Sequence, residues 1–240
     1  LESRLEGTEQ AMLQRSVATI VAQVQAMKQL VNEFRDYARL PAARLQPLDL
    51  NALCTEVLAL YGQASEQGRL ETNLAHDLPQ IEGDATQLRQ VIHNLVQNAL
   101  DAVAERAGGR VIVSTEAARS ETGELRAVRL RVADNGGGFS DKVLKRAFEP
   151  YVTTKAKGTE LGLAVVKKIA DEHGARVRIA NLHTEPAEAA TAQADGAGPV
   201  TGAQVSISFS RFAPAPHPIH PPVALAETGN IPLRAPAAPD

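Results

Sequence analysis

Hydrophobic positions along the chain fall into three regimes. In the first, Leu13, Val17, Ile20, Val24, Met27, Val31, Phe34 and Ala38 are spaced alternately by four and three residues. That is a period of 3.5, the seam of a long helix that pairs with other helices, held for more than three heptads. A core helix of one globular domain is the alternative reading of the same stripe. Pro41 ends the pattern, because proline lacks the N–H that a helix interior needs. The second regime, residues 46–212, mixes helical and strand periods. A helix is expected over 51–61 and a short strand over 70–74. A strong helix is expected after Asp84, which with Gln87 forms a capping-box pattern. Leu88, Val91, Ile92, Leu95, Val96, Ala99 and Val103 build its apolar face, and Gly108-Gly109 is expected to stop it. Strands are expected over 110–115 and 128–133, joined by a turn near Thr122-Gly123, then a helix over 162–173 and strands over 176–180 and 204–209. Residues 183–201, rich in Ala, Gly and Glu, read as a loop. The order predicts a layered α/β sandwich with a mixed sheet. The third regime, 213–240, is Pro- and Ala-rich and is expected to be disordered.

Composition narrows the picture. Hydrophobic residues make up 44% of 240, but aromatics only 3% and Trp is absent, so the core must be aliphatic. A net charge of −3 gives no global field for nucleic acid. No apolar run reaches the length of a membrane span and no signal peptide opens the chain, so this segment is expected to be cytoplasmic and not to cross a membrane. The lone thiol, Cys54, sits within a helical pattern and reads as a small buried apolar residue. The sequence opens without Met inside a helical pattern, so a longer parent chain is expected.

Three segments carry candidate chemistry. Asn94 and Asn98 are four apart and project from one side of their helix, and Asp101 extends the stripe. An amide oxygen is a hard ligand suited to Mg²⁺, although a solvated polar face would look the same. Asp134-Asn135-Gly136-Gly137-Gly138 follows a strand; an aspartate there can accept a hydrogen bond from an exocyclic amine such as that of adenine, and glycines allow close backbone approach. A tight turn has the same composition. Lys155-Ala-Lys157-Gly158-Thr159-Glu160-Leu161-Gly162-Leu163 opens a helix whose N–H groups and lysines suit phosphate, although a basic loop with an ordinary cap reads alike. It is neither a Walker loop nor a dinucleotide fingerprint.

The order of these segments is specific. Gln90 to Ala99 with its paired Asn94 and Asn98, then residues 134–138, then Phe148-Glu-Pro-Tyr-Val-Thr-Thr-Lys155, then residues 158–163 resembles the GHKL ATPase domain of sensor histidine kinases. Thr201-Gly202-Ala203 fits a degenerate third glycine box. Phe34-Arg-Asp-Tyr-Ala-Arg-Leu-Pro41 adds a similarity to nitrogen-regulation kinases of the NtrY type. The resemblance implies a GHKL (Bergerat) ATP-binding fold, with helices on one face of a mixed sheet, over 46–212. It implies part of a homodimeric phosphoacceptor bundle over 1–45. Asp134 would bind the adenine amine, and Asn98 would hold Mg²⁺ with Asn94 assisting. Lys155, Lys157 and the backbone around Gly158, Thr159, Gly162 and Leu163 would hold the phosphates of ATP. Asp101, Gly136, Gly138, Tyr151, Leu161 and Thr201 complete the implied nucleotide site. The implied activity is transfer of the γ-phosphoryl group to a histidine, for relay to a response regulator, in the cytoplasmic part of an inner-membrane sensor or a soluble equivalent. Asn94 stands where hydrolytic members carry a glutamate base, which favours transfer over hydrolysis.

Two departures stand out. None of His76, His93, His173, His183, His217 and His220 lies in a His-Glu/Asp-x-x-x-Pro box, so the acceptor is expected on a helix upstream of residue 1. Glu160 stands where the family has glycine and is expected to weaken nucleotide binding, since a carboxylate near a triphosphate repels it. A GHKL serine kinase and a non-catalytic nucleotide-binding or dimerisation module are the alternatives.

Overall fold

A computed structural model describes residues 2–38, 40–149, 162–184 and 198–214. The heptad stripe forms one continuous helix, α1 (Glu2–Ala38). Its seam side chains Leu13, Val17, Ile20, Val24, Met27 and Val31 are each 51–66% exposed. A sheet-and-helix layer follows: strand β1 (Gln46–Leu48), helix α2 (Leu50–Leu58), a 3₁₀ turn (Ala59–Tyr61), α3 (Gly62–Glu66), β2 (Leu70–Leu74), β3 (Ile81–Gly83), α4 (Ala85–Ala102), β4 (Val111–Arg119), β5 (Leu125–Asp134), α5 (Asp141–Arg146), α6 (Gly162–Glu172), β6 (Arg176–His183) and β7 (Val200–Phe209).

The main sheet has the order β2-β4-β5-β7-β6, with β2 parallel to β4 and the other pairs antiparallel. Alternation decides which face is covered. Val111 and Val113 on β4, Val128, Leu130 and Val132 on β5, and Val205, Ile207 and Phe209 on β7 are buried. They meet the apolar stripes of α2 (Leu53, Cys54, Val57), α4 (Leu88, Val91, Ile92, Leu95, Val96, Ala99) and α6 (Val165, Val166, Ile169, Ala170) in one core cluster. Each fully buried apolar side chain contributes about 1.5–3 kcal/mol, so a mainly aliphatic core sustains the layer without tryptophan, although the aromatic Phe209 is buried in it as well. Burial, with the nearby Asp49 charge, pushes the Cys54 thiol up to about 12.

The entry to α4 differs from the capping-box expectation. Asp84 does cap the helix: its Oδ1 accepts from the backbone N–H of Thr86 (2.9 Å) and Gln87 (3.1 Å). Gln87 does not reach back. Its amide donates to Pro41 O (2.8 Å) and to Glu172 Oε2 (3.3 Å). The Asp84 N–H donates instead to Nε2 of the buried His173 at 2.9 Å. His173 Nδ1 lies 2.8 Å from Ile169 O, and a carbonyl only accepts, so Nδ1 carries the proton and Nε2 is free to accept. The same cluster pins the connection from α1, because Ala43 N–H donates to Glu172 (3.1 Å) and Arg44 N–H to Asp84 Oδ2 (2.9 Å).

Other boundaries also shift. Helix α4 ends at Ala102, with buried Val103 as its C-cap, rather than at Gly108-Gly109. The next positions on that face, Arg106 and Ala107, are exposed and offer at most one methyl group to hold a further turn on the core. The 51–61 helix closes at Leu58 and tightens into the 3₁₀ turn. Strands β6 and β7 run to His183 and from Val200, into the stretch read as a loop; residues 185–197 lie outside the described residues. Of the segment expected to be disordered, only 213–214 are described, and Ala213 N–H bonds to Gln80 O at 2.9 Å.

Asp84 sets a pH dependence. Burial raises its carboxyl, but the backbone N–H groups of Arg44, Gln87 and Thr86 outweigh that and hold it below the usual carboxylate value. A depressed folded pKa stabilises the fold above the unfolded value, about 3.9, and that contribution is lost as pH falls through the folded value. Urea unfolding from about pH 6 downward should therefore show a shallower acid limb for Asp84→Asn than for the unaltered chain; identical limbs would remove Asp84 from the account.

Candidate functional site

The asparagine stripe lies along the border of the core face of α4. Asn94 and Asn98 are half-buried one turn apart, and Asp101 is exposed and accepts from Gln97 Nε2 at 2.8 Å. His93, next to Asn94, is exposed; its Nδ1 lies 2.7 Å from the Tyr61 hydroxyl. Burial and the charge of Asp101 push Tyr61 up to about 12, so it keeps its proton at neutral pH. His93 thus makes a helix-surface contact.

Two glycine-bearing segments converge on α4. A Cβ on Gly162, the first residue of α6, would lie 3.3 Å from Asn98 Nδ2. A Cβ on Gly136 would lie 2.9 Å from Ala102 O and 2.8 Å from Asp134 Oδ1. Asn98 and Ala102 are one helical turn apart and share a face. The start of α6 and the turn after β5 therefore approach neighbouring points on one stripe, with Leu163 following on α6.

The turn after β5 is held on every side. Gly136 N–H donates to Asp134 Oδ1 at 2.8 Å, which fixes the carboxylate at the strand end. Asn135 locks the turn to the start of β4: its N–H reaches Arg110 O (3.1 Å), its Oδ1 accepts from Arg110 N–H (2.7 Å), and its Nδ2 donates to Gly108 O (2.9 Å). Arg106 donates to Gly136 O at 3.2 Å. Gly138 has φ +76°, and a Cβ there would meet Val200 Cγ1 at 2.4 Å. Gly202, on β7, leaves less room still, because a Cβ would fall 1.9 Å from Asp134 O. Thr201, beside it, is exposed. The segment read as a degenerate third glycine box thus lies against the first one, where Asp134 pairs with Ala203.

The structure therefore brings Asn98, Asp134, Gly136, Gly138, Gly162 and Thr201 into one region, with Asn94 and Asp101 on the same helix. Tyr151, Lys155, Lys157, Gly158, Thr159, Leu161 and the divergent Glu160 lie outside the described residues. Sequence reading missed Arg106 and Asn181. Asn181 accepts from Phe139 N–H at 2.6 Å and donates to Phe139 O at 2.9 Å, clamping the chain beyond the glycines. An asparagine inside a strand is disfavoured, and that was the available signal.

A mixed sheet covered on one face by helices, with two glycine segments meeting an asparagine-bearing helix, defines a nucleotide-binding sandwich class. Residues 83–210 match the family described as histidine kinase-, DNA gyrase B- and HSP90-like ATPase, and the chain belongs to that family of ATP-binding domains. It is similar to the sensor histidine kinase ZraS of Escherichia coli O157:H7, 35% identical over 158 residues, which are 65% of this chain and 33% of that protein. It is also similar to a putative NtrY-like sensor histidine kinase of Rickettsia felis, 32% identical over 170 residues, 70% of this chain and 27% of that one. The chain spans about a third of the length of these curated relatives. Among solved structures, the catalytic domain of histidine kinase ThkA is 25% identical with a TM-score of 0.55, covering 70% of this chain and 96% of that one. Full-length ShkA in complex with AMPPNP is 26% identical with a TM-score of 0.59, covering 84% and 40%. Among the described residues no helix is long and apolar enough to cross a membrane.

Asn181 gives a local test. Asn181→Ala leaves both Phe139 backbone groups without their partner, a loss of about 1–3 kcal/mol in a half-buried site. Hydrogen exchange at the Phe139 amide should accelerate while the β4 and β5 amides stay protected; unchanged exchange at Phe139 would show that the clamp does not hold the turn.

Proposed function

We propose that the chain is the ATP-binding catalytic part of a two-component sensor histidine kinase, passing the γ-phosphoryl group of ATP to a histidine on a bundle helix. The convergence of Gly162 and Gly136 on the Asn98–Ala102 turn of α4 carries this reading. It puts an amide stripe, a strand-end carboxylate and a helix start around one space, as a purine with a triphosphate requires. Asp134 would accept from the adenine amine. The backbone at Gly162 and Leu163, with Lys155, Lys157, Gly158, Thr159 and Leu161, would hold the phosphates, and Asp101, Tyr151 and Thr201 would border the nucleotide. The donor set fits Mg²⁺: Asn94 and Asn98 offer neutral oxygen-bearing side chains on a half-buried face, which leaves room for phosphate oxygens and waters as the remaining ligands. When bound, the metal supplies neutralisation of triphosphate charge.

Phosphoryl transfer asks a protein chiefly for positioning and charge neutralisation. An imidazole nitrogen attacks the γ-phosphorus and ADP leaves. Asn94 fits that task, because an amide cannot deprotonate water and so does not favour hydrolysis. The exposed apolar seam of α1 supports pairing with bundle helices of a second copy. A response regulator as the final acceptor, a cytoplasmic setting and a nitrogen-regulation role follow from the kinship with sensor kinases and belong to the same proposal. A non-catalytic nucleotide-binding module is the second reading, favoured by Glu160 and by the lack of a histidine box in this chain.

Incubation with radiolabelled Mg·ATP tests the choice. The chain alone should not label on histidine, but should transfer label to a separate helix carrying a histidine box, in acid-labile form. Asp134→Asn should abolish that transfer through loss of ATP affinity, a charge-assisted bond being worth roughly 1.5–3 kcal/mol. ATP binding without any transfer would favour the non-catalytic module, and acid-labile labelling of the chain by itself would contradict the acceptor assignment.

A further inference from the structure

The face of the sheet opposite the helices carries arginines. On β5, Arg129 and Arg131 alternate with buried Val128, Leu130 and Val132; on β6, Arg176 and Arg178 are exposed and alternate with half-buried Val177 and Ile179. Strand β7 lies between them and presents serines. The register sets Arg129 and Arg176 both opposite Ser208, and Arg131 and Arg178 both opposite Ser206. Two Arg–Ser–Arg rungs result, about 7 Å apart along the strands, with the arginines of each rung about 10 Å apart across them.

The first rung borders a cavity of 300 Å³ lined by Arg126, Arg129, Arg176, Arg178, Ser208 and Ser210, with alanine and glycine as the other described lining residues. Arg211 adds to this charge, since its guanidinium lies about 3 Å from where a Cβ on Gly174, also in the lining, would stand. Among the described residues two carboxylates answer it. Glu116 pairs with Arg129 (2.5 Å) and Arg131 (3.3 Å), and Glu124 with Arg126 (3.4 Å). Among the described residues Arg176 and Arg178 have no ion pair, and Arg131 Nε is buried without a hydrogen-bond partner. This density of positive charge stands in a chain whose net charge is −3, so it is local.

We propose that this open face docks an acidic segment of a partner protein, its carboxylates held by the guanidinium forks of Arg176 and Arg178; Arg129, whose fork is engaged by Glu116 and by Ser208 Oγ (3.2 Å), adds positive charge beside them. Forked donors match carboxylates in two parallel bonds, and guanidinium gives up its hydration more readily than ammonium. The charge extends over both rungs and beyond the cavity, which suits a chain segment with several carboxylates rather than one small anion. Among the described residues the cavity lining holds no aromatic ring on which a base would stack, unlike single-stranded nucleic-acid sites, and no large apolar side chain that would anchor in a bilayer. The face is separate from the candidate nucleotide site because it lies on the other side of the sheet from α4; along β5 its two rungs stand three and five residues from Asp134, about 10 and 17 Å. The inference therefore does not depend on the kinase reading.

Fluorescence anisotropy with a fluorescein-labelled peptide of alternating Glu and Ser, titrated with the full chain, tests it. Binding is expected at low salt and should weaken as salt rises. Arg176→Glu/Arg178→Glu should lose at least tenfold in affinity while its ATP titration stays unchanged; Arg176→Gln/Arg178→Gln, a milder change should the first fail to fold, should also lose affinity. Inorganic triphosphate and phosphatidylserine vesicles serve as comparison probes and should bind this face more weakly than the peptide. No peptide binding, equal binding by the double variants, dependence on Lys155 and Lys157 instead, or stronger arginine-dependent binding of triphosphate or vesicles would each overturn the proposal.

Discussion

The candidate site depends on one close passage of backbone past backbone. Where β7 begins its pairing with β5, Gly202 passes Asp134 so closely that a Cβ would fall 1.9 Å from the Asp134 carbonyl oxygen. That approach lets the two strands stay paired to the end of β5, with Asp134 opposite Ala203. The carboxylate then stands at a fixed point, and the chain turns at once into Gly136, pressed against the last turn of α4. Gly202 and Gly136 are needed here for lack of space rather than for flexibility. Gly138, with φ +76°, is the one in this turn that uses a conformation other residues avoid.

Helix α4 answers from the other side. Its apolar stripe is buried between α2, α6 and the sheet, so its rotation is fixed, and with it the direction of Asn94 and Asn98. Its N-terminus is fixed by polar contacts that reach far along the chain: Asp84 caps it, His173 takes the Asp84 N–H, and Gln87 holds Pro41 and Glu172. The connection from α1 is tied to the same cluster through Ala43 and Arg44. Residues 41–44, which follow α1 in the chain, are therefore tied by hydrogen bonds to the start of the helix that carries the asparagine stripe.

Much of this was legible in the sequence, and the reasons are physical. The α4 stripe is long and strongly periodic, so its existence and its polar border could be read directly. The central strands alternate cleanly because one face is buried. Strands β1 and β3 escaped because three residues carry no period. The Gly108-Gly109 pair was misread as a helix stop because composition does not reveal that the core face runs out at Val103. The capping box was half right: Gln87 was captured by groups 46 and 85 residues away in sequence, which no local pattern predicts. Arg–Val alternation on β5 and β6 is visible in the sequence, but that Ser206 and Ser208 of β7 stand between those arginines is a matter of strand order and register, known only from the fold.

The central claim is that the Gly202 passage holds Asp134 where a nucleotide can be read. Calorimetric titration of Gly202→Ala with Mg·ATP tests it most directly, with circular dichroism first establishing that sheet content is retained. The added methyl must push β7 away from the end of β5, so ATP affinity should fall at least tenfold, or about 1.4 kcal/mol, although no group that would touch the nucleotide has been removed. An affinity equal to that of the unaltered chain would contradict the account.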